Sequence, residues 1–196
     1  MYRLTGKNPL ILASASPRRR EMLLRMGIDF ECLPADVDET LLPDEGALEA
    51  SCRLARLKAV SIFQSHPNRN ILAADTLVAL GDEILGKPKD ADQAMEMIKI
   101  LSGREHQVVT GFSLINSQGE HQGSAVSRVK FRGLSPAEIK AYVRSGEPMG
   151  KAGAYAIQGL GAAFVEEVSG SYTNVVGLPL ARVLGILLDW GVIVPE

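Results

Sequence analysis

One carboxylate stands where carboxylates are rarely tolerated: Asp75 interrupts the apolar run Ile71-Leu72-Ala73-Ala74-Asp75-Thr76-Leu77-Val78. An ionised group in such a setting has to be paired, metal-bound or placed at a strand end facing a cleft, whereas a merely structural aspartate belongs in the flanking turns. Thr76 points to the opposite face of a regular strand, but beside a bulge both residues can face a ligand. A second place for chemistry is Ser14-Ala15-Ser16-Pro17-Arg18-Arg19-Arg20. Ser16 is suited to cap a helix and Pro17 to open it. Free backbone N–H groups and the positive end of the helix dipole there favour an anion, and arginine forks suit phosphate. The alternative is a well-capped helix with a solvated basic first turn; cations there oppose the dipole, so both readings stand.

Asp36, Asp38 and Glu39 place three carboxylates in one short loop. Mg²⁺ or Mn²⁺ takes oxygen ligands of this kind together with substrate phosphates, although acidic loops are commonly just solvated. Lys58 falls on a predicted helix, and Lys87 precedes Pro88 in a stiff Gly86-Lys87-Pro88 segment that could aim an ammonium at a phosphate; surface lysine is the default for each. Other chemistries are disfavoured. Gly146 to Ala152 is one residue too short for a P-loop and ends in Ala, and Gly159-Leu160-Gly161 lacks the third glycine of a dinucleotide fingerprint. The histidines, His66, His106 and His121, form no zinc-binding pair, and no G-x-S-x-G elbow is present.

These residues must be positioned by a chain of 196 residues, 46% hydrophobic and 22% charged, enough for one substantial core: one domain over residues 1–196, or two closely joined lobes. The formal net charge of -2 gives no global attraction to nucleic acid or to an anionic membrane. Cys32 and Cys52 make no disulfide framework and no Cys-x-x-Cys motif. The opening residues lack the order of a secretory signal and no apolar stretch approaches the roughly 20 residues of a membrane span, so a cytoplasmic protein is expected.

Leu10 to Ala13 reads as a strand, followed by the Ser14–Ser16 loop and a helix ending at Gly27. A short strand at Phe30 to Leu33 and an acidic loop precede a helix over Ala47 to Phe63. Asn70 to Leu80 is a buried strand and Asp90 to Leu101 an amphipathic helix capped by Asp90. His106 to Ile115 and Gly123 to Phe131 form a hairpin around Asn116 to Gly119, and a helix follows at Pro136 to Arg144. A strand near Phe164 to Val168 and a helix from Pro179 to Trp190 close the chain. Strands alternating with helices without a strict repeat predict an α/β protein with a mixed sheet.

Taken in order, LILASASPRR at 10 to 19, FECLPADVDE at 30 to 39, RLARLKA at 53 to 59, AADT at 73 to 76, GKP at 86 to 88, LSG at 101 to 103, KAGAYAIQG at 151 to 159 and VVGLPL at 175 to 180 form a pattern that resembles the Maf family, also called septum formation inhibitor proteins, which are nucleoside triphosphate pyrophosphatases. The resemblance implies a mixed central sheet flanked by helices, two lobes with a cleft, an architecture similar to inosine triphosphate pyrophosphatases, and a homodimer. It makes Asp75 the proton acceptor and, with Glu39, a metal ligand for Mg²⁺ or Mn²⁺. It gives Glu39, Lys58 and Lys87 catalytic roles, and makes Ser14, Ser16, Arg18, Arg19, Thr76 and Gln158 substrate-binding. Arg18, Thr76 and Gln158 are similar to the subgroup that cleaves dTTP and UTP. A Gln amide both donates and accepts, which matches the imide N–H and carbonyls of uracil or thymine, and the wrong base leaves a partner unsatisfied.

The resulting expectation is metal-assisted attack of water on the α-phosphorus, with Asp75 as base and the cations holding the triphosphate. Two rivals stay open at the level of sequence: a regulatory nucleotide-binding protein acting on septum formation through a protein partner, and a phosphohydrolase that releases orthophosphate or acts on a sugar phosphate.

Overall fold

The computed structural model describes residues 1–6 and 9–196. Its strands are β1 (Tyr2–Leu4), β2 (Leu10–Leu12), β3 (Phe30–Cys32), β4 (Ile71–Leu80), β5 (Glu83–Leu85), β6 (Glu105–Asn116), β7 (Gly119–Phe131), β8 (Val165–Ser169) and β9 (Ile193–Pro195). The α-helices are α1 (Pro17–Arg25), α2 (Ala47–Ser65), α3 (Ala91–Leu101), α4 (Pro136–Arg144), α5 (Tyr172–Val176) and α6 (Leu180–Asp189), with 3-10 turns at Ala152–Ala154 and Leu160–Phe164. β3, β2, β4, β6, β7 and β8 follow one another in one sheet, with β5 paired to β4. β2 is parallel to both β3 and β4, while the β4–β5 and β7–β8 pairs are antiparallel, so the sheet is mixed as predicted. β1 and β9 pair antiparallel in a small sheet of their own.

The chain divides into two compact units. The first comprises Met1–Asp75, Thr110–Ala125 and Gly177–Glu196; the second comprises Thr76–Val109 and Val126–Val176. The boundary therefore falls inside β4, between Asp75 and Thr76. In the first unit Ile11, Ala13, Ala59, Ile71, Ala73 and Ile115 are buried together, with Leu33, Val60, Ile62 and Phe63 packed against them. This cluster seats α2 on β2 and β4, the two elements that must hold any Lys58–Asp75 contact. In the second unit the core is aromatic: Phe131, Tyr142, Tyr155 and Phe164 meet edge to face around Ile98, Leu101 and Ile139.

Local sequence explains the elements that matter most. Ser16 takes extended backbone angles and its side chain accepts from Arg19 N, with Pro17 opening α1, as capping chemistry predicts. Gly27 ends that helix region at φ +79°, where an added Cβ would meet Tyr2 O at 3.0 Å. In α2 the buried residues are Ala50, Ser51, Leu54, Ala55, Lys58 and Ala59, a stripe with helical spacing that carries a lysine on its inner face. Short elements escaped the sequence reading: β1, β5, β9 and α5 have 3 to 5 residues each, too few to show periodicity. α2 runs on to Ser65 and β7 starts at Gly119, so the hairpin turn is tighter than the sequence reading placed it.

Candidate active site

β2 delivers the chain to the Ser14–Ser16 loop at its carboxyl end, the side of a parallel sheet where ligands are commonly bound. The registered pairs between β2 and β4 stop at Leu72, and those between β4 and β5 begin at Val78. Asp75 lies in that interval, on the length of β4 that continues past the end of β2. The residue is 7% exposed. The pairing that such a residue requires is present: Lys58 Nζ donates to Asp75 Oδ1 at 2.6 Å and lies 3.0 Å from Glu39 Oε1. Lys58 is itself 8% exposed, so this is a buried ion pair, with the more exposed Glu39 beside it.

α2 builds the site twice. One turn and a half before Lys58, Arg53 grips the acidic loop, with Nε donating to Glu45 Oε1 at 2.6 Å, one Nη donating to Glu45 Oε2 at 2.6 Å and to the Thr40 carbonyl at 3.1 Å. Asp38 Oδ1 accepts from Thr40 N at 2.9 Å and Thr40 Oγ1 at 2.6 Å, and these hydrogen bonds hold its carboxyl below the usual range. Of the three carboxylates in the loop, Glu39 therefore faces Lys58, Asp38 is spent on the loop's own turn, and Asp36 is exposed. Gly111 of β6 lets the helix come this close: a Cβ there would lie 2.4 Å from the Ser51 backbone and 2.5 Å from Cys52 N. The sequence reading did not single out Gly111, although an isolated glycine within a strand is the signal of a close backbone approach.

Arg19 is 8% exposed and folds back over its own loop. Its Nε donates to the Gly177 carbonyl at 2.7 Å and Nη1 to Ser14 Oγ at 3.0 Å, while Ser16 N donates to Ser14 Oγ at 3.2 Å. Burial pulls the guanidinium down to about 10, Asp75 and Glu39 pull it up, and Arg18 adds like-charge repulsion. Arg18 is half-buried, and burial lowers it as well. Both arginines remain cationic at neutral pH. The first unit thus gathers Ser14, Ser16, Arg18, Arg19, Glu39, Lys58 and Asp75, with three cations against two carboxylates, a local excess suited to a polyanion.

Thr76, Lys87 and Gln158 belong to the second unit. Thr76 is half-buried in β4, Lys87 is exposed two residues past the end of β5, and Gln158 is exposed in the turn before the 3-10 turn at Leu160. Gly153, at φ +65°, fits against Val78, where a Cβ would meet the valine methyls at 2.9 Å. For the metal, no group of three or more His, Cys, Asp or Glu residues gathers among the described residues. Among the described residues a closed protein cage is not built. Glu39 and Asp75 converging on one ammonium do fit a cation that takes one or two carboxylates and leaves its remaining positions to phosphates and water.

The sequence profile described as Maf-like protein matches residues 9–190. The chain belongs to that family. Among curated relatives of this Maf-like protein, the dTTP/UTP pyrophosphatase of Hahella chejuensis is 46% identical over 190 residues, covering 95% of this chain and 94% of the relative. That of Myxococcus xanthus is 50% identical over 188 residues, covering 95% and 94%. That of Syntrophomonas wolfei is 48% identical over 182 residues, covering 92% and 96%. Among solved structures, the Ham1 protein of Staphylococcus aureus matches with a TM-score of 0.45 at 16% identity, over 63% of this chain and 72% of that one. A likeness of that size carries no weight for the site. No helix among the described residues is long and apolar enough to cross a membrane.

Proposed function

We propose that this Maf-like protein hydrolyses dTTP and UTP to the nucleoside monophosphate and pyrophosphate, as one domain over residues 1–196, with Mg²⁺ or Mn²⁺, in the cytoplasm and as a homodimer. The observation that carries the reading is the buried Lys58–Asp75 pair, bridged to Glu39 and set beside a serine loop and two arginines at the carboxyl end of β2. Family membership and the names of relatives sharing almost half their residues support it.

Charge placement does most of the chemistry in phosphoryl transfer, because little covalent work is left to the protein. Arg18, Lys58 and Lys87 hold the triphosphate. Arg19, whose Nε and Nη1 are committed to Gly177 and Ser14, sets the shape of the loop and adds its field. A lysine ammonium has three N–H donors; Lys58 uses two on Asp75 and Glu39 and keeps one for a phosphate oxygen. Asp75 Oδ1 is taken by Lys58, which leaves Oδ2 to orient a water and accept its proton. The water oxygen bonds to the α-phosphorus in line as the bond from that phosphorus to the bridging oxygen breaks, and pyrophosphate departs. A divalent cation held by Glu39 and Asp75 would neutralise the phosphate oxygens when bound. Thr76 and Gln158 contact the sugar and base side of the substrate, where the glutamine amide pairs with the pyrimidine imide.

The test is product analysis from a panel of nucleoside triphosphates with Mg²⁺ or Mn²⁺, using the protein and Asp75→Asn. Monophosphate plus pyrophosphate is expected from dTTP and UTP. The variant is expected to lose about 10²- to 10⁴-fold in turnover while still binding nucleotide, the usual range for a positioned base. A folded Asp75→Asn variant with undiminished turnover removes Asp75 from the mechanism. Release of orthophosphate would reject the proposed bond.

A further inference from the structure

Glu147 has no place in the reaction as described, yet within the second unit its carboxylate is turned onto the backbone of the segment that carries Gln158. Oε1 accepts from Tyr142 OH at 2.9 Å and from Gly161 N at 2.9 Å, and Oε2 accepts from Leu160 N at 2.8 Å. The Tyr142 oxygen in turn accepts from Ala156 N at 3.3 Å, and Gly159 N donates to the Ala156 carbonyl at 3.1 Å. One carboxylate and one phenol therefore hold both ends of Ala156–Gly161, with Gln158 exposed between the anchors.

The fit excludes side chains along the segment. A Cβ on Gly159 would lie 2.2 Å from Glu147 Oε2, and one on Gly161 would lie 2.9 Å from the Ala156 carbonyl and 3.0 Å from Tyr142 OH. Burial pushes the Glu147 carboxyl upward, but the donors from Gly161, Leu160 and Tyr142 outweigh it and hold the group below the ordinary range. Burial, with Glu147 beside it, raises the Tyr142 phenol, which keeps its proton and stays a donor. The arrangement is a charge-assisted clamp, roughly twice as strong per bond as neutral pairs, on an otherwise irregular stretch of chain.

We propose that Glu147 and Tyr142 are positioning residues for base selection, fixing where the Ala156–Gly161 segment presents the Gln158 amide and thereby setting the preference for a uracil-type imide over cytosine. The proposal rests on the pyrophosphatase reading and on Gln158 meeting the base. Uracil offers an imide N–H between two carbonyls, whereas cytosine offers an unprotonated ring nitrogen beside an amine. A glutamine free to shift and rotate can serve either pattern, so discrimination depends on a fixed backbone beneath it.

Two variants test this. Glu147→Gln keeps the shape but places an amide NH₂ against N–H and O–H donors, and Tyr142→Phe removes the phenol oxygen alone. For folded variants, checked by Tm, the UTP:CTP ratio of kcat/KM is expected to fall about tenfold or more. The fall should come from a raised KM for UTP, with kcat at saturation nearly unchanged. In a Gln158→Ala background Glu147→Gln should leave the ratio unmoved, since both changes act through one contact. A lowered Tm with the wild-type ratio intact would make the clamp purely structural and overturn the proposal. So would a wild-type protein indifferent between UTP and CTP. Wild-type release of pyrophosphate is scored separately; if it is absent, the hydrolysis reading fails by itself and the same variants are read by calorimetric Kd for UTP and CTP, where an unchanged ratio overturns the clamp and a reduced one supports it.

Discussion

Gly111→Ala tests whether α2 is the ruler of the active site. The new Cβ would sit 2.4 Å from the Ser51 carbonyl carbon and oxygen, whereas ordinary contact begins at 3.4 Å, so helix and strand must part by about 1 Å. Neither neighbour can rotate away, because both contacts are backbone. Lys58 lies seven residues further along the same helix, about 10 Å of axis away. If the helix moves as a rod, the 2.6 Å Lys58–Asp75 contact opens to about 3.6 Å, beyond a hydrogen bond. Overpacking of this kind costs about 1–3 kcal/mol, and a 1 Å misplacement of catalytic groups can cost about 10²-fold in rate. The assay is kcat for pyrophosphate release together with urea unfolding. Gly185→Ala serves as the control: it lies within α6 with nothing near its added Cβ, and alanine there should stabilise by about 0.5–1 kcal/mol with kcat unchanged. A folded Gly111→Ala variant with kcat within about twofold of wild type would refute the rod argument, since the magnitude comes from the 1 Å displacement.

Further outcomes follow from the same structure. Lys58→Met removes the cation between two carboxylates; breaking a buried pair costs about 3–5 kcal/mol, and solvated Glu39 with Arg19 nearby argues for the lower end. Millimolar Mg²⁺ should raise the Tm of that variant more than that of the wild type, since a ligand stabilises by binding only the folded state; equal increments would count against Glu39 and Asp75 as metal ligands. His106, buried against Phe131 with Nε2 at 2.9 Å from Tyr155 OH, is held down to about 4 by burial. The unfolded chain takes up this proton as pH falls below about 6.5 while the folded protein resists it until about 4, so stability is flat above that window and declines through it, by up to ~3 kcal/mol. His106→Gln should lose this part of the acid sensitivity in urea melts between those pH values; an unchanged slope would show that the carboxylates alone set it.

Much of this was legible in the chain, for reasons that differ by residue. Asp75 announced itself because its neighbours are apolar, and the capping of α1 by Ser16 and Pro17 follows from local stereochemistry. The mixed sheet follows from alternating apolar runs. Lys58 was half legible: the pairs Ala50-Ser51, Leu54-Ala55 and Lys58-Ala59 repeat at helical spacing and put the lysine on the buried stripe, but a single lysine is read by default as a surface residue. That its partner would be Asp75, 17 residues away on another element, depends on the packing of α2 against β6 and has no local signature. Asp38 and Glu39 look alike in sequence; only the turn at Thr40 separates them. The division of the chain within β4 was hidden because the residues before and after it belong to one strand whose side chains are nearly all buried. Glu147 gave no signal, since its partners are mostly backbone amides, which every sequence has.

The charge in β4 also bears on how the strand finds its place. Along Ile71–Leu80 nearly every side chain is buried, on both faces, so hydrophobic pattern alone does not distinguish one pairing register from its neighbour. Shifting the strand by one residue would exchange alanine or threonine for the aspartate opposite Lys58 and bury an unpartnered carboxylate, at a cost of several kcal/mol. The group proposed to activate water is thus also the mark by which the central strand is indexed, and removing its charge should loosen the alignment of β4 as well as slow turnover.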